Sequence, residues 1–294
     1  MDTENYGWRG LVVRVDLTEA TIREEELSDD IKRDYTGGAG INAKLFFDAV
    51  RNKPDLDPLS PGNPLIFGCG PIVGTRFPCA TRYTVTAKSP LTRIFGDSNA
   101  GGYFGAKLKQ AGYDHILVTG KSEKPVALYI EKGNRPQLID AEWFWGLDTY
   151  ATDEQIQQRY GDSETARIGP AGENMVRYAN IFSGRKRVSA NGRAGMGCVM
   201  GSKNLKAIIV KAKGTVPVSN QEKLDEVVKK YREIWGKGPS TYAQKEYGTL
   251  MLSAQIGLET WTRNDQGRIT PEQLGCYDLD EVISLYKRGQ TACY

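Results

Sequence analysis

The segment Asp97-Ser98-Asn99-Ala100-Gly101-Gly102-Tyr103-Phe104-Gly105 is the most informative part of this 294-residue chain. It predicts a glycine-rich turn that runs into a helix ending near Gly112. A second glycine-rich segment covers residues 189–201. Because glycine has no Cβ, such backbone can approach an anion closely and its N–H groups can cradle a phosphate. Taken alone, however, glycine-rich segments are more often simple turns than binding sites.

The spacing of these glycines excludes two familiar nucleotide sites. No GxxxxGK[ST] string is present, and Gly192 to Gly197 lacks the G-x-G-x-x-G spacing of a dinucleotide site. No acidic residue stands convincingly where a ribose would be bound. A phosphate-ligand binder of an unrelated kind remains an alternative on these segments alone.

The composition predicts an ordinary soluble protein. Hydrophobic residues make up 39%, charged residues 26%, and the net charge is +3, which argues against a nucleic-acid binder. No apolar run approaches the roughly 18 residues that a membrane span needs. Five scattered cysteines and one histidine, His115, give no disulfide framework and suggest a reducing compartment. We therefore expect a cytoplasmic protein without a membrane or nucleic-acid partner.

The pattern of apolar residues predicts an α+β fold. Residues 1–214 are expected to form a largely β domain, and residues 215–294 the beginning of a mainly helical one, with Ser219 or Asn220 as an N-cap. Predicted strands and helices are a hairpin from Leu11, a helix over 41–50, strands at 65–68, 83–87, 116–119, 126–130, 166–168, 176–181 and 207–211, and a helix over 149–159.

Longer strings resemble the aldehyde ferredoxin oxidoreductase family, the tungsten-pterin enzymes of anaerobes. The strings occur in family order and span nearly the whole chain, more loosely after Val218. They are Trp8-Arg9-Gly10, residues 57–61, 70–75, 82–83, 88–92, 99–105, 111–114, 168–174 and 200–207, and Tyr247-Gly248-Thr249.

The resemblance implies a tungsten bis-pterin (molybdopterin) cofactor, with a magnesium ion joining the pterin phosphates. Arg82 and Gly101 match positions that contact the pterin. Asn99, by its side chain, and Ala190, by its backbone carbonyl, match the magnesium ligands, and magnesium prefers such oxygen ligands. Gly192 and Arg193 match the contacts on the phosphate side. Ser189 stands where better-known members of the family carry an arginine, and the nearby Arg185 and Arg187 could compensate for it.

Cys293 matches the first ligand of the family's C-x-x-C-x-x-x-C motif for a [4Fe–4S] cluster. Since the sequence stops at Tyr294, we expect an incomplete catalytic subunit. A half-subunit that supplies the pterin floor to a partner chain is the alternative.

The implied reaction converts an aldehyde to a carboxylic acid, or the reverse, with electrons passing through the cluster to ferredoxin or an electron-transfer subunit. No catalytic side chain is assigned, because the acid–base groups of the family lie in later domains. An aromatic acyl-CoA reductase subunit of the same family is a further alternative. Homo-oligomer formation remains open.

Overall fold

The computed structural model describes residues 6–185, 188–252, 270, 272, 275 and 278–289. Contacts between residues divide the chain into two compact units, with the change from one to the other between Gln221 and Glu222. The first unit contains two six-stranded sheets, and the second contains helices.

The first sheet has the order β2-β1-β6-β3-β4-β5. Its strands are β1 (Leu11–Asp16), β2 (Thr21–Glu26), β3 (Leu65–Cys69), β4 (Tyr83–Lys88), β5 (Phe95–Ala100) and β6 (His115–Thr119). The β1–β6 pair is parallel and the other pairs are antiparallel. Strand β5 therefore forms one edge of this sheet.

The second sheet has the order β11-β10-β9-β12-β7-β8. Its strands are β7 (Val126–Glu131), β8 (Gln137–Asp140), β9 (Glu164–Arg167), β10 (Ile181–Ser183), β11 (Ser189–Asn191) and β12 (Leu205–Lys211). Only β7 and β12 pair in parallel. Strand β11 is an edge strand and contacts β5 of the first sheet.

Helices cover and connect the sheets. In the first unit they are α1 (Asp29–Tyr35), α2 (Ala39–Val50), α3 (Phe104–Ala111), a 3₁₀ helix (Glu142–Phe144), α4 (Thr149–Tyr160), α5 (Pro170–Glu173) and α6 (Met196–Ser202). Helix α3 contacts β3 of one sheet and β9 and β12 of the other. One buried cluster joins Val85 and Ile116 of the first sheet to Ala166 and Ile208 of the second. The two sheets therefore share this core, and two smaller clusters lie under α2 and α4.

The described part of the second unit is helical. It contains most of α7 (Gln221–Gly236), then α8 (Pro239–Tyr247), a 3₁₀ helix (Gly248–Leu252) and α9 (Leu279–Tyr286). With the mixed sheets of the first unit, this confirms the predicted α+β class. Within the described residues, no helix combines the length and apolar character needed to cross a bilayer.

The strand predicted at 176–181 is wrong, because only Ile181 belongs to a strand. Met175 has a φ of +55°, and the Ala179 N–H donates to Val176 O across a turn. Ala179 O in turn accepts the N–H of Gly197 in α6. The backbone groups of this apolar segment are thus used by a turn and a helix rather than by a strand.

Candidate cofactor site

Strand β5 presents Asn99 to solvent. Its residues alternate, so that Asp97 and Asn99 are exposed while Ser98 and Ala100 are buried. In the β4–β5 ladder Tyr83 pairs with Ala100. Arg82, one residue earlier, therefore lies at the same end of the hairpin as Gly101.

The second glycine-rich segment is tied to β5 through Ser98. The Asn191 side chain donates from Nδ2 to Ser98 O over 2.8 Å, and the Arg193 N–H donates to Ser98 Oγ over 3.0 Å. Ser98 is 1% exposed and Asn191 is fully buried. Two segments that lie about ninety residues apart in sequence are in this way held side by side.

The glycines of the first segment lie against Ser189. A Cβ at Gly101 would stand 3.6 Å from Thr81 Oγ1 and 4.0 Å from Ser189 Oγ, which are ordinary contacts. Gly102 has a φ of +82°, and a Cβ there would lie 3.3 Å from Ser189 Oγ. A Cβ at Gly192 would meet only Asn180 Nδ2, at 3.9 Å. The backbone here forms an open cradle.

The guanidinium groups of two arginines in this region have no partner among the described residues. Arg82 and Arg193 are exposed, and neither guanidinium makes a hydrogen bond or ion pair with the residues that the structure describes. Arg185 differs, since it pairs with Asp162 at 3.4 Å and lies 4.0 Å from Asp153. The suggestion that Arg185 compensates for the arginine missing at Ser189 stays a prediction.

The side-chain amide of Asn99 has two partners. Thr84 Oγ1 donates to Asn99 Oδ1 over 2.7 Å, and Asn99 Nδ2 donates to Asp97 Oδ2 over 3.2 Å. A carbonyl oxygen has two lone pairs, so Oδ1 keeps one acceptor position after the bond to Thr84. An oxygen ligand for a hard cation is thus available on this face of β5.

The donor set fits the phosphates and magnesium of a pterin cofactor. The guanidinium groups of Arg82 and Arg193, which have no partner among the described residues, provide bidentate donors for phosphate, and glycine backbone lets a flat ring system approach closely. Asn99 supplies an oxygen suited to magnesium. Contacts of Gly101 with Ser189, and of Ser98 with Asn191 and Arg193, join the hairpin that carries Arg82 and Asn99 to the segment that carries Ala190 and Gly192. Arg187 and Cys293 lie outside the described residues.

The single histidine lies in a buried hydrogen-bond network with Asn42. His115 is fully buried, and its Nδ1 lies 2.8 Å from Asn42 Oδ1. Burial, with a smaller contribution from the Lys109 charge, lowers the pKa of His115 to about 3. The side chain is therefore neutral at physiological pH and serves the packing beneath α2.

Sequence reasoning missed Ser98, which accepts hydrogen bonds from the second glycine-rich segment, and Thr84, which donates to Asn99. The signal for Ser98 was present, because alternation over residues 95–100 predicts an inward-facing serine once the segment is treated as a strand. No local signal points to Thr84, whose role depends on the β4–β5 register.

Residues 12–212 match the model of the aldehyde ferredoxin oxidoreductase N-terminal domain. The chain belongs to the aldehyde ferredoxin oxidoreductase family, a family of oxidoreductases.

Curated relatives agree with this assignment. The chain is 42% identical over 250 residues to the tungsten-containing aldehyde ferredoxin oxidoreductase of Pyrococcus furiosus and 41% identical to that of Pyrococcus abyssi. Each match covers 84% of this chain and 40% of the relative, so the chain spans well under half the length of these proteins. The aliphatic sulfonate oxidoreductase, WOR-like subunit, of Pyrococcus furiosus is 34% identical over 268 residues, which is 86% of this chain and 42% of that protein.

A solved structure has the same fold. The active-site complex BamBC of benzoyl coenzyme A reductase, with 1,5-dienoyl-CoA, contains a chain that superposes with a TM-score of 0.84 at 30% identity. The superposition covers 98% of this chain and 46% of that one.

Proposed function

We propose that this chain supplies the pterin-binding wall of a tungsten-dependent oxidoreductase that interconverts aldehydes and carboxylic acids. The observation that carries the proposal is the convergence of three segments at the joined edges of the two sheets: Arg82, residues 99–102 and residues 189–193. Membership of the family and the tungsten-containing relatives support it.

Each residue has a proposed task. Arg82 and the backbone at Gly101 contact the pterin, while Gly192 and Arg193 contact its phosphate side, with Ser189 between the two segments. Asn99, through Oδ1, and Ala190, through its carbonyl, ligate magnesium. When bound, the metal–pterin group supplies the two-electron chemistry, and this chain's residues bind and orient it.

The electron path is also a proposal. Cys293 is the first ligand of a [4Fe–4S] cluster, from which ferredoxin or an electron-transfer subunit accepts electrons. We further propose residues 1–214 and 215–294 as the two functional domains and the cytoplasm as the location. The alternative is a half-subunit that completes its site with a partner chain. A relative that is itself described as a WOR-like subunit supports this alternative.

Reduction of an aromatic acyl-CoA ester is the second candidate activity. The observation that favours it is the superposition of 98% of the chain on a chain of the benzoyl coenzyme A reductase complex. Since both candidates use the same pterin wall, the residues above do not discriminate between them. Substrate assays do.

The test is made on the full-length protein purified anaerobically. We expect tungsten, a fluorescent pterin after acid oxidation, and aldehyde-dependent reduction of a viologen dye. Benzoyl-CoA-dependent turnover without aldehyde oxidation would favour the second candidate. A protein that contains neither tungsten nor pterin would refute both.

Variants connect the cofactor to the site. Arg82→Gln and Arg193→Gln are expected to lower tungsten and pterin content together, because each removes a free bidentate donor. Arg135→Gln is the matched control, since Arg135 is an exposed arginine between β7 and β8, and β8 lies at the edge of its sheet opposite to β11. Equal cofactor loss in all three would contradict the assignment.

A further inference from the structure

The orientation of the Asn99 amide is set by its neighbours. A carboxylate only accepts hydrogen bonds, whereas a threonine hydroxyl can donate or accept. Asp97 Oδ2, 3.2 Å from the Asn99 amide, therefore requires the nitrogen on its side. The carbonyl oxygen then faces Thr84, whose hydroxyl donates to it over 2.7 Å.

Thr84 itself stands on a rigid base. It is 4% exposed, and its backbone carbonyl accepts a hydrogen bond from Asn42 Nδ2 over 3.1 Å. Asn42 is fully buried and also donates to Thr86 Oγ1. Because a β-branched side chain has few χ1 rotamers, the Thr84 hydroxyl has a fixed direction.

Asp97 acts from the other side of the amide. It is exposed on the same face of β5 as Asn99. Its carboxylate forms no ion pair with the residues that the structure describes. The negative charge is therefore not neutralised locally and favours a cation beside Asn99.

We propose that Thr84 and Asp97 are positioning residues that fix the carbonyl oxygen of Asn99 as a ligand for a divalent cation. This inference rests on the proposed function, in which Asn99 ligates magnesium. Hydrogen bonds to a metal ligand orient it, and their removal typically costs about 10- to 100-fold in metal affinity. Loss of such a hydrogen bond lowers the metal affinity without lowering the stability of the sheet. A mutation that destabilises the strand would lower both.

The experiment measures magnesium retention in the full-length protein. Magnesium per polypeptide is determined by elemental analysis, and its release into EDTA is followed over time. Thr84→Val removes the hydroxyl at nearly constant shape, and Asp97→Ala removes the carboxylate. We expect each to lower the apparent magnesium affinity by about tenfold or more. Thr84→Ser, which keeps the hydroxyl, should retain magnesium as the wild type does.

Thr86→Val is the matched control. It removes a hydroxyl from the same strand and the same sheet face, but that hydroxyl bonds to Asn42 and not to Asn99. Melting temperatures are recorded for all variants. The inference predicts magnesium loss in Thr84→Val and not in Thr86→Val, even where the two melt at the same temperature.

Two results would overturn the inference. One is wild-type magnesium retention in both Thr84→Val and Asp97→Ala. The other is equal loss in Thr84→Val and Thr86→Val, which would assign the effect to the strand. Asp97 lies at the surface, so Asp97→Ala remains informative if Thr84→Val does not fold. A wild-type protein with tungsten and pterin but no magnesium would refute the cation site alone, whereas one without tungsten or pterin would refute the proposed function.

Discussion

Replacement of Gly101 by alanine separates binding from folding. A Cβ at this position meets only Thr81 Oγ1 at 3.6 Å and Ser189 Oγ at 4.0 Å, and both are ordinary contacts. The backbone of Gly101 does not lie in the left-handed region. We therefore expect the free energy of unfolding to change by no more than about 0.5 kcal/mol.

The same methyl group projects into the cradle that we assign to the pterin. Overpacking a fitted contact costs roughly 1–3 kcal/mol. At about 1.4 kcal/mol per factor of ten, this corresponds to a loss of roughly 5- to 140-fold in cofactor affinity. The assay is tungsten and pterin content per polypeptide in the full-length protein, together with its melting temperature.

Gly62→Ala is the matched control. Gly62 lies in the loop before β3, and a Cβ there also meets only side chains at ordinary distances, 3.4 Å from Leu56 Cδ1 and 3.9 Å from Ser60 Oγ. It should keep both stability and cofactor. If Gly101→Ala folds and retains tungsten and pterin at the wild-type level, the cradle is not the cofactor site.

Three further predictions concern stability. Ser98→Ala should cost about 1–2 kcal/mol, because the Arg193 N–H loses its acceptor; chemical denaturation measures this. Gly68→Ala should cost about 3 kcal/mol or more, since a Cβ would stand 2.1 Å from Asn42 Oδ1 in a buried network; thermal unfolding measures this. Burial, with the Asp153 charge adding to it, raises the pKa of Glu164 from 4.5 to about 7. The folded state therefore holds the Glu164 proton more tightly than the unfolded state does. This contribution to the free energy of unfolding is fully present below pH 4.5 and is lost as the pH rises through 7, by about 3 kcal/mol in total. Glu164→Gln should remove that slope from the stability–pH profile.

Each of these has a result that contradicts it. Ser202→Ala removes another buried hydroxyl, which donates to the carbonyl of Val199 in its own helix. If it lowers the free energy of unfolding as much as Ser98→Ala does, the Ser98 hydroxyl contributes nothing specific to the contact between the two segments. A Gly68→Ala protein as stable as the wild type would show that the Asn42 and His115 side chains move aside at little cost in free energy. A pH profile unchanged by Glu164→Gln would mean that Glu164 ionises normally in the folded protein.

Most strands were predictable because apolar patterns are local. Strands β3, β4, β6 and β12 are buried over nearly their whole length, and continuous apolar runs such as Ala207-Ile208-Ile209-Val210 predict them. The edge strand β5 was missed since its glycine and asparagine residues favour turns. Its partner β4 imposes an extended conformation on these residues, and that is a tertiary effect.

The site residues were predictable only as motif members, and their arrangement was not. Nothing in the local sequence states that Asn191 reaches Ser98 or that Arg185 turns towards Asp162. The Asn191–Ser98 contact arises where β5 and β11 meet at the edges of two different sheets, and the Arg185–Asp162 contact joins loops next to β9 and β10. Pairings between segments so distant in sequence depend on the whole topology and leave no periodic signal in either segment.

The central claim is that the pterin lies on the surface formed by Arg82, residues 99–102 and residues 189–193. The most direct measurement is a crystal structure of the full-length protein with anomalous data collected at the tungsten edge. The account predicts a tungsten peak beside this surface, with pterin density against Gly101 and phosphate density near Arg193. A tungsten peak elsewhere, or none in active protein, would contradict it.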